Sequence, residues 1–261
     1  MSAVNDGMEV VMKILALDSS GLVASVALME DDRLTAEYSI QYKKTHSQTL
    51  LPMMDEVKKM VELDLDTLDA VAIAAGPGSF TGLRIGSATA KGIGLALDIP
   101  LIEVPTLEGL AYNAYGFDGY VCPMMDARRG QVYTGIYEFI KEKEGRIHMQ
   151  EIHMATSYKL REAKPQCAVA IEEIAEMLND LGREVIFLGD GVPVFREKLG
   201  ELMRVEYSFA PAHMNRQRAA SIAALGGVYY RMGKIVRASE HMPIYLRLSQ
   251  AERERKEKGL C

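Results

Sequence analysis

"AAGPGSFTGLRIG", residues 74–86, holds four glycines and a proline in thirteen positions. The apolar run from Ala70 to Ala75 leads into it, and a helix-like pattern leaves it and runs to about Leu97. A glycine turn between a strand and a helix serves two purposes: it offers backbone N–H groups to an anion, or it lets two backbones come close. The phosphate motifs fail as written. Gly76, Gly78 and Gly82 form Gly-x-Gly-x-x-x-Gly, one residue longer than the dinucleotide fingerprint. A Walker loop needs Gly-Lys-Ser/Thr, and the nearby Lys91-Gly92 is reversed and too far on. A weaker anion contact through the helix start, Ser79 and Thr81 remains open. The packing reading rests on period. Gly78, Gly82, Gly86, Ala90 and Gly94 recur every fourth residue, so on a helix they share one nearly bare face. Each helical glycine costs about 1 kcal/mol against alanine, so the face implies close approach. The neighbour is either the sheet beneath or a helix of another polypeptide.

Outward from this block the chain reads as alternating strands and helices. "KILAL", "LVASVALM" and "LTAEYSI" form a meander whose first strand ends on Asp18. Residues 45–61 show helical spacing at Leu50, Met53, Met54, Val57, Met60 and Val61, with Thr45 as N-cap and Pro52 predicting a kink or a late start. Strand "AVAIAA", the glycine turn, its helix and strand "IPLIEV" follow, then a short helix capped by Thr106. The order then repeats. "VCPMMDARRGQVYTGI" lies over "ILALDSSGLVASVAL" with Asp126 on Asp18, and "REVIFLGDGVPVF" mirrors "DAVAIAAGPGSF". A last helix spans about Asn215 to Arg231. The expectation is an α/β chain of duplicated β-β-β-α-β-α units. Strand–Asp–turn–strand at the head of each unit describes the two-lobed actin/hexokinase/Hsp70-like (ASKHA) fold, with the second lobe degenerate. Expected boundaries are a leader at 1–11, lobes at 12–110 and 111–249, and a charged tail at 250–261.

Composition limits the function. The 261 residues carry a net charge of −6 and no basic stripe, which argues against unaided nucleic-acid binding. Cys122, Cys167 and Cys261 lack the spacing of a zinc or redox pair. The N-terminal stretch lacks the charge pattern of a signal peptide, and no uncharged run reaches membrane-spanning length, so a cytoplasmic protein is expected. No Gly-x-Ser-x-Gly elbow supports a hydrolase, and the five histidines make no helical metal pair. Asp18 and Asp126 are the paired carboxylates. Such aspartates orient Mg²⁺ or water beside phosphates in this fold class, and Asp before small residues equally makes Asx turns. An actin-like phosphotransferase with its own Mg-nucleotide site at Asp18 and Asp126 is therefore one functional expectation.

A second comes from resemblance. "ILALDSS", "HSQTLLP" (46–52), "GPGSFTGLRIG", "IPLIEVPTLEGLA", "MDARRGQVY" and the later "YLR" stand in an order and spacing similar to the TsaB (YeaZ) family. The match is strong over about residues 12–138. The resemblance implies a degenerate actin-like fold and a non-catalytic partner of TsaD, the transferase that makes threonylcarbamoyladenosine beside the anticodon of tRNAs. The His-x-x-x-His metal motif of TsaD is absent here; only His46 stands in the comparable stretch. The family pairs through its first two helices, which implies an interface at His46, Leu50, Met53, Met54, Val57, Gly82, Arg84, Gly86 and Ala90. It also implies a homodimer when alone, TsaE in the assembly, indirect contact with tRNA, and no cofactor in the lone chain, with ATP or ADP at the partner interface. Residues assigned to nucleotide or anion contact are Asp18, Ser19, Gly76, Gly78, Ser79 and Asp126. On this reading the glycine block serves backbone approach first and anion contact second.

Overall fold

A computed structural model describes residues 11–42, 44–148 and 151–247. The expected tail, and all but the last residue of the expected leader, lie outside them. The chain forms two five-stranded mixed sheets. The first contains β1 (Lys13–Asp18), β2 (Ala24–Glu30), β3 (Arg33–Ile40), β4 (Ala70–Gly76) and β5 (Leu101–Pro105), ordered β3-β2-β1-β4-β5. The second contains β6 (Tyr120–Asp126), β7 (Gln131–His148), β8 (Glu151–Ala170), β9 (Val185–Leu188) and β10 (Tyr207–Phe209), ordered β10-β9-β6-β7-β8. In each sheet the first three strands are antiparallel and the last two run parallel to the first. The two orders are the same order read from opposite edges.

Central strands β1 and β4 are buried on both faces and read as unbroken apolar runs, as a covered parallel pair requires. Edge strand β3 is half-exposed and polar. Because side chains alternate, Leu15 and Leu17 face one way and Ile14 and Ala16 the other. The leucine face packs on α1 (His46–Met60) and α2 (Phe80–Leu97), against Leu50, Met53, Val57 and Ala90. The Ile14–Ala16 face, with Ala72, Ile102 and Val104, packs on α6 (Ala219–Arg231) through Ile222, Ala223 and Leu225. In the second sheet, Cys122, Met124 and Phe187 meet α4 (Ile171–Leu181) and α5 (Val192–Leu202). Its other face takes α3 (Thr106–Ala111) through Leu107 and Leu110. So α3 follows the first sheet in sequence but covers the second, and α6 follows the second but covers the first.

Several local expectations change. The α1 N-cap is Thr45, as predicted, but its side chain makes no cap bond. Pro52 sits inside α1 without delaying its start; it lies on the exposed side, where a carbonyl deprived of its helical partner is solvated. Thr106 does not cap α3. Pro105 holds that position, and the Thr106 hydroxyl accepts from Gly76 N at 3.0 Å instead. The last helix begins at Ala219, because the Asn215 side chain is bent back to accept from Gly189 N at 2.7 Å. After α6 the chain forms a strap. Val236 pairs with Leu101, Ile244 N donates to Ala75 O at 2.7 Å, and Arg247 donates to Ala127 O in the second half.

The glycine flank of α2 faces inward. A Cβ on Gly82 would lie 2.1 Å from the Ser19 carbonyl oxygen, and one on Gly86 2.4 Å from Ser19 Oγ. Gly92, off that flank, has nothing within 4 Å of the same position. Gly82→Ala is expected to destabilise the isolated chain by roughly 1–3 kcal/mol or more, since a backbone must move. Gly92→Ala is expected to stabilise it by roughly 0.5–1 kcal/mol through helix propensity alone. Urea unfolding of both variants checks the opposite signs.

Candidate functional site

The β1–β2 turn and the start of α2 form one tied structure. Asp18 Oδ1 accepts from Ser20 N at 2.9 Å and from Ser20 Oγ at 2.6 Å, an Asx turn. Ser19 Oγ donates to Gly82 O at 2.9 Å, and Ser79 N donates to Ser20 O at 2.7 Å. The Ser79 hydroxyl caps α2 by accepting from Gly82 N at 3.3 Å. These bonds occupy backbone donors that the anion reading had assigned to a ligand. They also correct the partner reading. Gly82, Gly86, Ala90, Leu50, Met53 and Val57 were expected on a partner's surface, yet all six are buried in the chain's own interior. Met54 is half-buried against the same core. Arg84 is exposed and lies 4.0 Å over the Phe80 ring. His46 Nε2–H donates to Gly21 O at 2.9 Å, which leaves Nδ1 as a bare acceptor with no partner.

Beside this knot lies a cleft between the halves of about 550 Å³. Gly78, Ser79, His46, Asp126, Asp190, Tyr245 and Arg247 line it, whereas Asp18, Ser19 and Gly76 stand behind its wall. Asp126 repeats the Asp18 turn: its Oδ1 accepts from Arg128 N at 2.7 Å, and Arg128 approaches its other oxygen at 3.4 Å. Asp190, which the sequence reading passed over, has a buried Oδ1 with no partner. Burial holds its carboxyl above the usual range, against the charge of Arg216 and hydrogen bonding to the backbone of Asp126; the charge of Asp126 adds a smaller upward push. The echo "GDG" at 189–191 was its only signal. The cleft thus offers one carboxylate held in its own turn by the Arg128 backbone and a second, half-buried one with a single oxygen left without a partner. Among the described residues no group of three or more His, Cys, Asp or Glu is placed to hold a metal. No described helix is long and apolar enough to cross a membrane.

A serine, a histidine and a carboxylate also stand in a row that sequence could not reveal. Ser87 Oγ donates to His241 Nε2 at 2.8 Å, and His241 Nδ1 donates to Glu103 Oε1 at 2.6 Å. The chemical order is that of a hydrolase triad, which also needs an open nucleophile and oxyanion donors. Ser87 is 6 % exposed and His241 1 %. Neither lines the cleft. Lys91 adds bonds to Ser239 O and His241 O, both at 3.1 Å, so the row pins the strap to α2. Ser87→Ala is expected to lower stability by roughly 1–3 kcal/mol, the penalty of an unpaired buried imidazole nitrogen. A fluorophosphonate probe is expected to leave the native chain unlabelled.

Burial raises the Asp18 carboxyl from 3.8 to about 6; hydrogen bonds from Ser20 oppose the shift, and Asp190 adds to it. The folded state therefore binds the proton more tightly than the unfolded state does. Stability from this group is highest below pH 4 and falls as pH rises to about 6. Asp18→Asn, which keeps the acceptor oxygen, is expected to remove that fall and to match or exceed the native chain at pH 7 by up to about 3 kcal/mol. Paired unfolding curves between pH 4 and 8 check it.

Comparison with known proteins matches this architecture to one group. The family model described as "TsaD: tRNA N6-adenosine threonylcarbamoyltransferase" matches residues 34–254. A Bacillus subtilis (strain 168) relative named tRNA threonylcarbamoyladenosine biosynthesis protein TsaB is 33% identical over 92% of this chain and 96% of its own. Its Escherichia coli (strain K12) namesake is 30% identical over 90% and 95%. A Pseudomonas aeruginosa crystal structure, described as an uncharacterized protein with similarity to peptidase YeaZ, is 28% identical. It superposes with a TM-score of 0.72 over 90% of this chain and 100% of that one. Family model, relatives and fold agree: the chain belongs to the TsaB (YeaZ) family.

Proposed function

We propose that this protein is a non-catalytic partner of a TsaD-type transferase in the synthesis of threonylcarbamoyladenosine on tRNA. The outer face of α1 and α2 is the observation that carries the reading. Leu95 is 61% exposed on α2, and Leu51 is 53% exposed on α1. Gly92 stands open, and Ala88 and Ala96 are exposed between them. Small residues beside an exposed leucine suit close packing against helices of another chain. The interface is thus moved outward from the buried glycine flank, keeping Arg84 and the exposed side of α1. The same face would serve a homodimer in the absence of the partner. The family relatives support the process, and the cytoplasm is the compartment it requires. TsaE is placed in the assembly with no assigned surface here, and tRNA is reached through the partner. ATP or ADP is assigned to the joint between partners, because Asp18 is consumed by its own turn and Asp126 by Arg128. The shared strand order further supports descent of both halves from one β-β-β-α-β-α unit of the actin/hexokinase/Hsp70-like class, the second being degenerate.

The alternative, a phosphotransferase in its own right, rests on the unpartnered oxygen of Asp190 in the cleft. Calorimetry of the lone chain with Mg-ATP separates the two, since tight binding lost in Asp190→Asn would favour the enzyme. For the partner reading, Ala88→Arg and Leu95→Glu are expected to abolish co-purification with the transferase and to break the homodimer while leaving the melting temperature nearly unchanged. Retained binding by both folded variants would place the interface elsewhere.

A further inference from the structure

A second groove, of about 870 Å³, opens between α3, α6 and the β7–β8 hairpin and shares no lining residue with the cleft. Tyrosines wall it. The Tyr115 ring stands edge-on to Tyr158 at 5.5 Å, and its hydroxyl accepts from Tyr158 N at 2.9 Å. Deeper in, Tyr229 donates its hydroxyl to Glu108 Oε2. Burial holds the Glu108 carboxyl above the usual range, and the charge of Glu162 across the groove adds to it. Tyr137 is fully buried, lines the same space, and its hydroxyl has no partner. Glu108 and Glu162 both act on that hydroxyl electrostatically.

The chain's own cations answer this cluster only in part: the charge of Lys234 opposes the upward shift of Glu108 without forming an ion pair with it. Arg231 pairs with Asp32 at 3.8 Å, and Lys234 rests 4.4 Å over the Tyr229 ring. Lys159 is exposed. Among the described residues, neither Glu108 nor Glu162 has an ion-pair partner. Two repelling carboxylates, an orphan hydroxyl oxygen and aromatic faces share one need, a positive hydrogen-bond donor on an apolar stem. We propose that this groove binds a small organic cation, an alkyl ammonium or guanidinium, with its head between Glu108, Glu162 and the Tyr137 hydroxyl and its stem along the tyrosines.

Titration calorimetry of the full chain with agmatine, putrescine and the neutral control pentanol tests it. The two cations are expected to bind with Kd at or below about 1 mM, within reach of ligands this small, and pentanol not to bind. Tyr137→Phe and Glu162→Gln are each expected to weaken the cations roughly tenfold, the worth of one hydrogen bond to a charge. Tyr137→Phe is also expected to hold or raise the melting temperature, since it deletes an unpaired buried hydroxyl. Glu162 is exposed, so its variant folds even if changes at Glu108 disturb Tyr229. Absence of cation binding, or affinity unchanged in both variants, overturns the proposal. Binding of a capped arginine amide alone would overturn it in favour of a protein side chain.

Discussion

The carbonyl oxygen of Ser19 sits where the side chain of residue 82 would be. Nothing but hydrogen can stand at that position, and the rest of the first half is arranged around it. With the turn seated on α2, the Ser19 hydroxyl reaches Gly82 O and the Ser20 carbonyl reaches Ser79 N. Those reaches hold only while the turn keeps its shape, and Asp18 keeps it with two bonds to Ser20. A buried carboxylate is a costly clamp. It is tolerated because its hydrogen bonds replace part of the water it gave up, which is why its protonation is tied to stability.

The same helix uses small residues for two purposes. On its inner side they admit a backbone; on its outer side Ala88, Gly92 and Ala96 leave a shallow surface next to Leu95. Period alone does not tell the sides apart, because both rows recur at helical spacing. The strap from Val236 to Arg247 then fixes how α2 stands relative to the second half, through His241 on one side and Ala127 on the other.

Sheets, helices and the doubled order were readable because each rests on local pattern: apolar runs for β1 and β4, four-residue spacing for α1 and α2, Asp at the end of β1 and β6. The orientation of the glycine flank was not, since it is decided by the turn at residues 18–20, which lies far away in sequence. The Ser87–His241–Glu103 row was hidden for the same reason; its members meet only when the strap lies down. Thr106 illustrates competition between local and distant partners. As a cap it would have served its own helix, but Gly76 N at the end of β4 takes its hydroxyl. Asp190 carries its signal in flanking glycines that echo the first turn and do not themselves mark a carboxylate in the cleft.

The exchange of α3 and α6 between sheets has a bearing on how the chain comes into being. During synthesis the first sheet can form with α1 and α2 on one side as soon as β5 has emerged. Its opposite surface, with Ile14, Ala72, Ile102 and Val104, must wait for Ile222 and Leu225. Through that interval a broad aliphatic surface is open to any sticky neighbour. The alanines that line it, Ala16, Ala27, Ala70, Ala72 and Ala74, make it smooth and less adhesive than leucines would. The newborn first half is therefore dependent on its own late-arriving helix, and the first sheet is not a self-sufficient folding unit.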